Sequence, residues 1–221
     1  MQTAKLCLAA ACLLGVASAR LSAQGFDGVM QFVSSEHGDK PDTITQMTKG
    51  SKMRFEGMGR GGGAMIMDGN SRLILMPEQK QYMIIPIAPD NTPVKQKKQG
   101  TAVKTGKTET VAGIRCEVWH YTGVKNDGTP QDGDACLAKG AGLMIGRLAV
   151  GRMAMYFTEG GQAFSQALAS GMGIMKVTSN GKTDLVAIKA QVTSVPDAMF
   201  SPPSDYTKMD RAHMGGPPHT P

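Results

Sequence analysis

Residues 105–140, TGKTETVAGIRCEVWHYTGVKNDGTPQDGDACLAKG, set the tightest limit on how this chain folds. Residues 114–122 (IRCEVWHYT) alternate as a strand does, with Cys116, Val118 and His120 on one face and Arg115, Glu117, Trp119 and Tyr121 on the other. Asn126-Asp127-Gly128-Thr129-Pro130 and Asp132-Gly133 then supply turn residues, and residues 134–139 (DACLAK) return. A hairpin of this length brings Cys136 back beside Cys116, which disulfide geometry requires. The only tryptophan, Trp119, lies within the same hairpin.

The start of the chain says which compartment that hairpin meets. Lys5 gives a positive n-region, and residues 6–16 (LCLAAACLLGV) form an apolar run of h-region length, too short to span a bilayer. Ala17-Ser18-Ala19 and Leu21-Ser22-Ala23 both offer small residues for a signal peptidase. Cleavage after Ala23 is the expected choice, because Gly25-Phe26-Asp27-Gly28 then begins the folded chain. Cys12 is preceded by small residues, but the apolar run continues past it, which argues against a lipidated cysteine. Residues 1–23 are therefore expected to be a signal peptide, and the product periplasmic or secreted. Cys7 and Cys12 leave with it, so Cys116 and Cys136 remain as an even pair in an oxidising compartment, and one disulfide is expected. The spacing suits neither zinc nor a redox pair, since no CxxC motif and no histidine pair at i,i+4 accompanies the cysteines.

Losing Lys5 and Arg20 lowers the net charge from +6 to +4. The remaining basic residues are scattered and aromatics are few, so nothing favours nucleic acid as a partner. No later stretch is apolar enough for a transmembrane helix. The mature length suits one domain with a substantial core, expected over 24–206 and followed by a disordered tail, 207–221.

Within that domain short alternating runs recur at 26–34, 43–48, 51–58, 64–68, 72–76, 81–85 and 105–111. The clearest is 51–58, with Met53 and Phe55 inward and Lys52, Arg54 and Glu56 outward. A final hairpin, 173–179 and 183–195, turns at Asn180-Gly181. Residues 86–100, rich in proline and amide side chains, read as a long exposed loop. The pattern changes at about 143–170. Ile145, Leu148 and Ala149 fall near one helical face, and Phe164 and Leu168 lie at i,i+4, so a helical insert is expected there. The fold class is accordingly mainly β (α+β): a curved antiparallel sheet or half-open barrel with that insert.

Two motifs are false friends. Gly57, Gly59 and Gly62 satisfy GxGxxG, but strands rather than a helix follow. Gly106-Lys107-Thr108 resembles the end of a phosphate loop, but five residues rather than four separate it from Gly100. The four histidines, His37, His120, His213 and His219, are dispersed, and His120 reads as an ordinary strand histidine. No catalytic signature is present, so no enzyme activity, cofactor or catalytic residue is expected. Sixteen methionines remain after Met1 of the 17, with pairs at Met65/Met67, Met153/Met155 and Met172/Met175. Three readings stay open for them: core filling, an adaptable hydrophobic cavity, and soft copper ligation.

The run from Thr105-Gly106-Lys107-Thr108-Glu109 through Val111-Ala112-Gly113-Ile114-Arg115-Cys116-Glu117-Val118-Trp119 resembles the central motif of an exported bacterial family, domain of unknown function 4412. Ser51-Lys52-Met53-Arg54, Met76-Pro77-Glu78-Gln79-Lys80-Gln81-Tyr82, Ala135-Cys136-Leu137-Ala138-Lys139-Gly140 and the ending at 195–206 are similar as well. That family resembles in turn the outer-membrane lipoprotein carrier (LolA-like) superfamily, which implies a curved sheet wrapped around helices with a hydrophobic cavity. The resemblance implies no catalytic residues. The resulting expectation is a non-catalytic periplasmic binding or carrier-like protein for a lipid or lipidated partner, with Ile145, Leu148, Met153, Met155, Phe164 and Leu168 as cavity candidates. The alternatives are a cell-envelope structural or interaction module with a filled core, and copper handling through methionines.

Overall fold

A computed structural model describes residues 25–35, 41–57, 63–68, 71–86, 100–124, 128–143, 164, 166–168 and 170–209. These form twelve strands: β1 (Gly28–Ser34), β2 (Asp42–Lys49), β3 (Lys52–Glu56), β4 (Ala64–Asp68), β5 (Ser71–Met76), β6 (Gln81–Pro86), β7 (Gly100–Val111), β8 (Ile114–Val124), β9 (Pro130–Lys139), β10 (Met172–Ser179), β11 (Lys182–Val192) and β12 (Thr207–Lys208). All belong to one open, curved sheet in the order β12-β6-β5-β4-β3-β2-β1-β11-β10-β9-β8-β7. Neighbours pair antiparallel, except that β12 lies parallel to β6. The sheet is therefore two meanders, β1–β6 and β7–β11, joined where the first strand pairs with the last of the second meander.

The mainly β expectation holds. Turn chemistry explains the hairpin ends. Asn180 (φ 48°) and Gly181 (φ 76°) adopt the left-handed conformations that a two-residue hairpin loop demands, and Ala112 and Gly113 do the same between β7 and β8. The helical insert at 143–170 is not shown: within that span only 164 and 166–168 of the described residues are helical, and 144–163 lie outside them. Leu143 instead forms an extended bridge to Ile174. Residues 1–23, expected to be a signal peptide, also lie outside the described residues. At the other end, the tail expected from residue 207 needs correcting at its start. Thr207 and Lys208 form β12, because the backbone of Thr207 and Met209 finds acceptors on Lys80 and Tyr82 along the edge of β6. Residues 210–221 lie outside the described part.

The sheet buries apolar side chains on both faces. The larger core gathers Met30 and Phe32 of β1, Met53 and Phe55 of β3, Trp119 of β8, Leu137 of β9 and Met175 of β10. We call this the inner face of β1–β6. A smaller core lies on the opposite side, where Ala64, Ile66 and Leu75 are covered by Val195 and Phe200 of the strap that follows β11. Salt bridges tie the strap down: Lys49 to Asp197 at 2.8 Å and Lys80 to Asp205 at 2.9 Å. Arg54 adds a bond of 2.9 Å to the Met199 carbonyl. Hydrogen bonds from Lys49 and Lys80 hold the carboxyls of Asp197 and Asp205 below their ordinary value, and Asp205 in return raises Lys80.

One crossing decides where the inner face ends. After β9 the chain passes over β1 and β2 through Ala141, Gly142 and Leu143, all buried. Gln46, 1% exposed on β2, donates to the Gly142 carbonyl at 3.0 Å and to Thr48 at 3.2 Å. The Gly142 N–H points at the Met30 sulfur, 3.3 Å away. Gly142 has φ +102°, and a Cβ there would stand 2.5 Å from the Gly173 carbonyl carbon, so only glycine fits.

Candidate functional site

The register across β1–β6 lines up two rows of side chains on the inner face. One runs Gly28, Thr48, Met53, Met67, Arg72, Ile85; the next runs Met30, Gln46, Phe55, Met65, Ile74, Met83. Directly paired residues share a face, so each row is a line of neighbours about 5 Å apart. Near β1–β3 these rows are buried: Met30 at 0%, Phe55 at 1% and Met53 at 7% exposure. Toward β5 and β6 they open, and Arg72, Ile74, Met83 and Ile85 are only half-buried. The sequence produces this because Met65, Met67, Ile74, Met83 and Ile85 fall at alternate positions of β4, β5 and β6 on this face, with Arg72 as the charged member. Flexible thioethers beside branched isoleucines make a surface that adapts to apolar shapes.

Arg72 is the anomaly of that surface. Its Nε is buried and has no hydrogen-bond partner among the described residues. Both side chains opposite it, Met67 and Ile85, are apolar. A polar group removed from water without a partner is destabilising, and a charged one more so.

A second buried donor lies in the other meander. Trp119 is 2% exposed and its ring meets Phe164 edge-on, with centroids 5.5 Å apart. Its indole N–H also lacks a partner among the described residues. Lys104 covers the ring at 5.4 Å and is itself paired with Glu117 at 2.8 Å.

The expected site residues divide clearly. Cys116 and Cys136 are joined by a disulfide, with Cα atoms 5.4 Å apart. Phe164 and Leu168 are 1% and 5% exposed within the larger core. Ile145, Leu148, Met153 and Met155 lie outside the described residues. Of the three methionine pairs, Met65 and Met67 occupy adjacent rows of the inner face. Among the described residues no group of three or more His, Cys, Asp or Glu could hold a metal ion. His120 bonds Asp134 at 3.0 Å and stands 3.7 Å from Asp132 at the surface of the β8–β9 hairpin, a local tie between strands. Sequence reasoning passed over Arg72. The available signal was a single charge at an inward position between Met67 and Ile85, visible only once hairpin partners are assigned.

Residues 26–206 match the family described as Domain of unknown function (DUF4412). No curated protein matches the chain. Among solved structures, an uncharacterized conserved protein from Thermus thermophilus is similar with a TM-score of 0.45 and 11% identity, over 83% of this chain and 89% of that one. PNGF-II is similar with a TM-score of 0.44 and 11% identity, over 84% of this chain and 31% of that one. Among the described residues no helix is long and apolar enough to cross a membrane.

Proposed function

Since the chain belongs to the DUF4412 family, whose description assigns no activity, we propose from its inner face a non-catalytic, periplasmic binding or carrier-like role for a hydrophobic ligand, a lipid or a lipidated partner. The observation that carries this reading is the half-buried extension of the inner face, where Met65, Ile74, Met83 and Ile85 continue the two rows that begin at buried Met53, Phe55 and Met67. An acyl chain laid along these rows gains about 25 cal/mol per Å² of apolar surface buried, before ordering costs. The leader-like residues 1–23 and the disulfide support an exported protein. The motif likeness to the lipoprotein carrier superfamily points the same way.

Titration with a fluorescent fatty acid tests the role. Saturable binding with one site per chain supports it. No binding up to the probe's solubility limit removes it.

One observation favours a second reading, an envelope interaction module with a filled interior. Phe164 and Leu168, expected to line a cavity, are packed into the larger core. Under that reading the fluorescent probe does not bind, while an envelope partner is recovered by cross-linking in intact cells.

A further inference from the structure

We propose that the ligand of the inner face is an anionic amphiphile, and that Arg72 receives its charged head. This rests on the hydrophobic-ligand reading and adds the chemistry of the head group. Arg72 stands in one lateral row with Met53, Met67 and Ile85, so its guanidinium emerges from an apolar, methionine-rich surface. It has no salt bridge among the described residues, whereas Arg54, on the opposite face of β3, is paired with Glu56 at 2.8 Å and with the Met199 carbonyl. Its Nε is removed from water, and no group among the described residues accepts its proton.

A buried Nε with no acceptor among the described residues raises the energy of the empty protein. A carboxylate or phosphate monoester head satisfies it, since the planar fork of Arg matches two anionic oxygens. The attached acyl chain then covers the half-buried Ile74, Met83 and Met65 in the neighbouring row. The occupant is the head of a lipid rather than a free anion, because the only charge on these rows is surrounded by apolar side chains that a small ion leaves uncovered.

The experiment compares oleate with oleyl alcohol by calorimetry on the full chain, in the native protein, Arg72→Met and Arg72→Lys. The native protein is expected to bind oleate at least about tenfold more tightly than the alcohol, the range for a charge-assisted hydrogen bond. Arg72→Met abolishes that preference by weakening oleate binding more than that of the alcohol; Arg72→Lys retains part of it. Arg72→Met also melts at higher temperature than the native protein without ligand, because an unpaired charge has been replaced by a side chain like its neighbours. Equal binding of both probes by the native protein overturns the proposal while leaving hydrophobic binding intact. Binding of neither probe overturns both readings. Competition by millimolar inorganic phosphate, with no oleate preference, assigns Arg72 to a free anion and also overturns the proposal. If Arg72→Met does not fold, the Arg72→Lys comparison decides: an oleate preference undiminished by it counts against a guanidinium contact.

Discussion

Lys176 of β10 and Glu109 of β7 meet at 3.1 Å although two strands separate them. Glu109 is paired with Cys116 and Lys176 with Cys136, so all four side chains share a face. The ion pair thus joins the residues flanking the disulfide, and both cysteines are nearly inaccessible at 2% and 3% exposure.

From this arrangement two effects should separate. Removing the disulfide by Cys116→Ala with Cys136→Ala should lower unfolding stability by about 3 kcal/mol, the chain-entropy value for a loop of this length. Removing the ion pair by Glu109→Gln should change stability by less than about 1 kcal/mol, since both partners are partly exposed. It should nevertheless speed disulfide reduction by dithiothreitol several-fold, measured as thiol release under native conditions. An unchanged reduction rate would show that the pair does not shield the sulfurs.

The crossing at Gly142 should tolerate almost no change. Gly142→Ala places a Cβ against the Gly173 carbonyl at a positive φ, and should cost about 3 kcal/mol. Gln46→Leu leaves the Gly142 carbonyl short of a donor and should cost about 1–3 kcal/mol. Urea midpoints at constant m value measure both.

The strap after β11 should respond to acid. Asp197 and Asp205 have carboxyls held below their ordinary value of 3.8 by hydrogen bonds from Lys49 and Lys80. A lowered folded value means that the two pairs contribute fully above pH 3.8 and are lost as pH falls through the lower value of the folded state. Lys80, raised by the same pair, contributes fully below its ordinary 10.5 and is lost as pH rises beyond that. Hydrogen exchange should therefore show the amides of Met199, Ser201 and Tyr206 losing protection at the acid end before the β8–β9 amides do. In Asp197→Asn with Asp205→Asn that early loss should already be present at neutral pH.

Side chains at the open end of the inner face should matter for binding more than for folding. Ile74→Glu replaces a half-buried residue and should weaken fatty-acid binding at least about tenfold, the cost of lost apolar contact plus a desolvated carboxylate. Its melting temperature should fall by much less than that of Phe55→Ala, which removes a 1% exposed ring and should cost about 3–5 kcal/mol.

Local chemistry made much of this fold legible. Asn180-Gly181 and the alternation of Met53 and Phe55 each act over a few residues, and each is where the sequence pattern puts it. The cysteine pair was readable because a hairpin of this length returns Cys136 beside Cys116. What local pattern could not supply was lateral order. The pairing of β1 with β11 joins residues far apart in the chain, and Thr207–Lys208 is a strand only because β6 offers it an edge. The candidate site suffered most from this. Helical spacing put Phe164 and Leu168 on one face and the family resemblance made them cavity candidates; the contact of Phe164 with Trp119 depends on lateral order that spacing does not carry. Arg72 reads as an ordinary strand charge until Met67 and Ile85 are known to stand on either side.

Native mass spectrometry of the protein purified from its own cells, before and after delipidation, tests the central claim most directly. A bound lipid predicts a mass difference that extraction removes and re-addition of the extract restores, with the released species carrying an acidic head. Identical masses before and after extraction, together with no uptake of added fatty acid, would contradict a hydrophobic-ligand role.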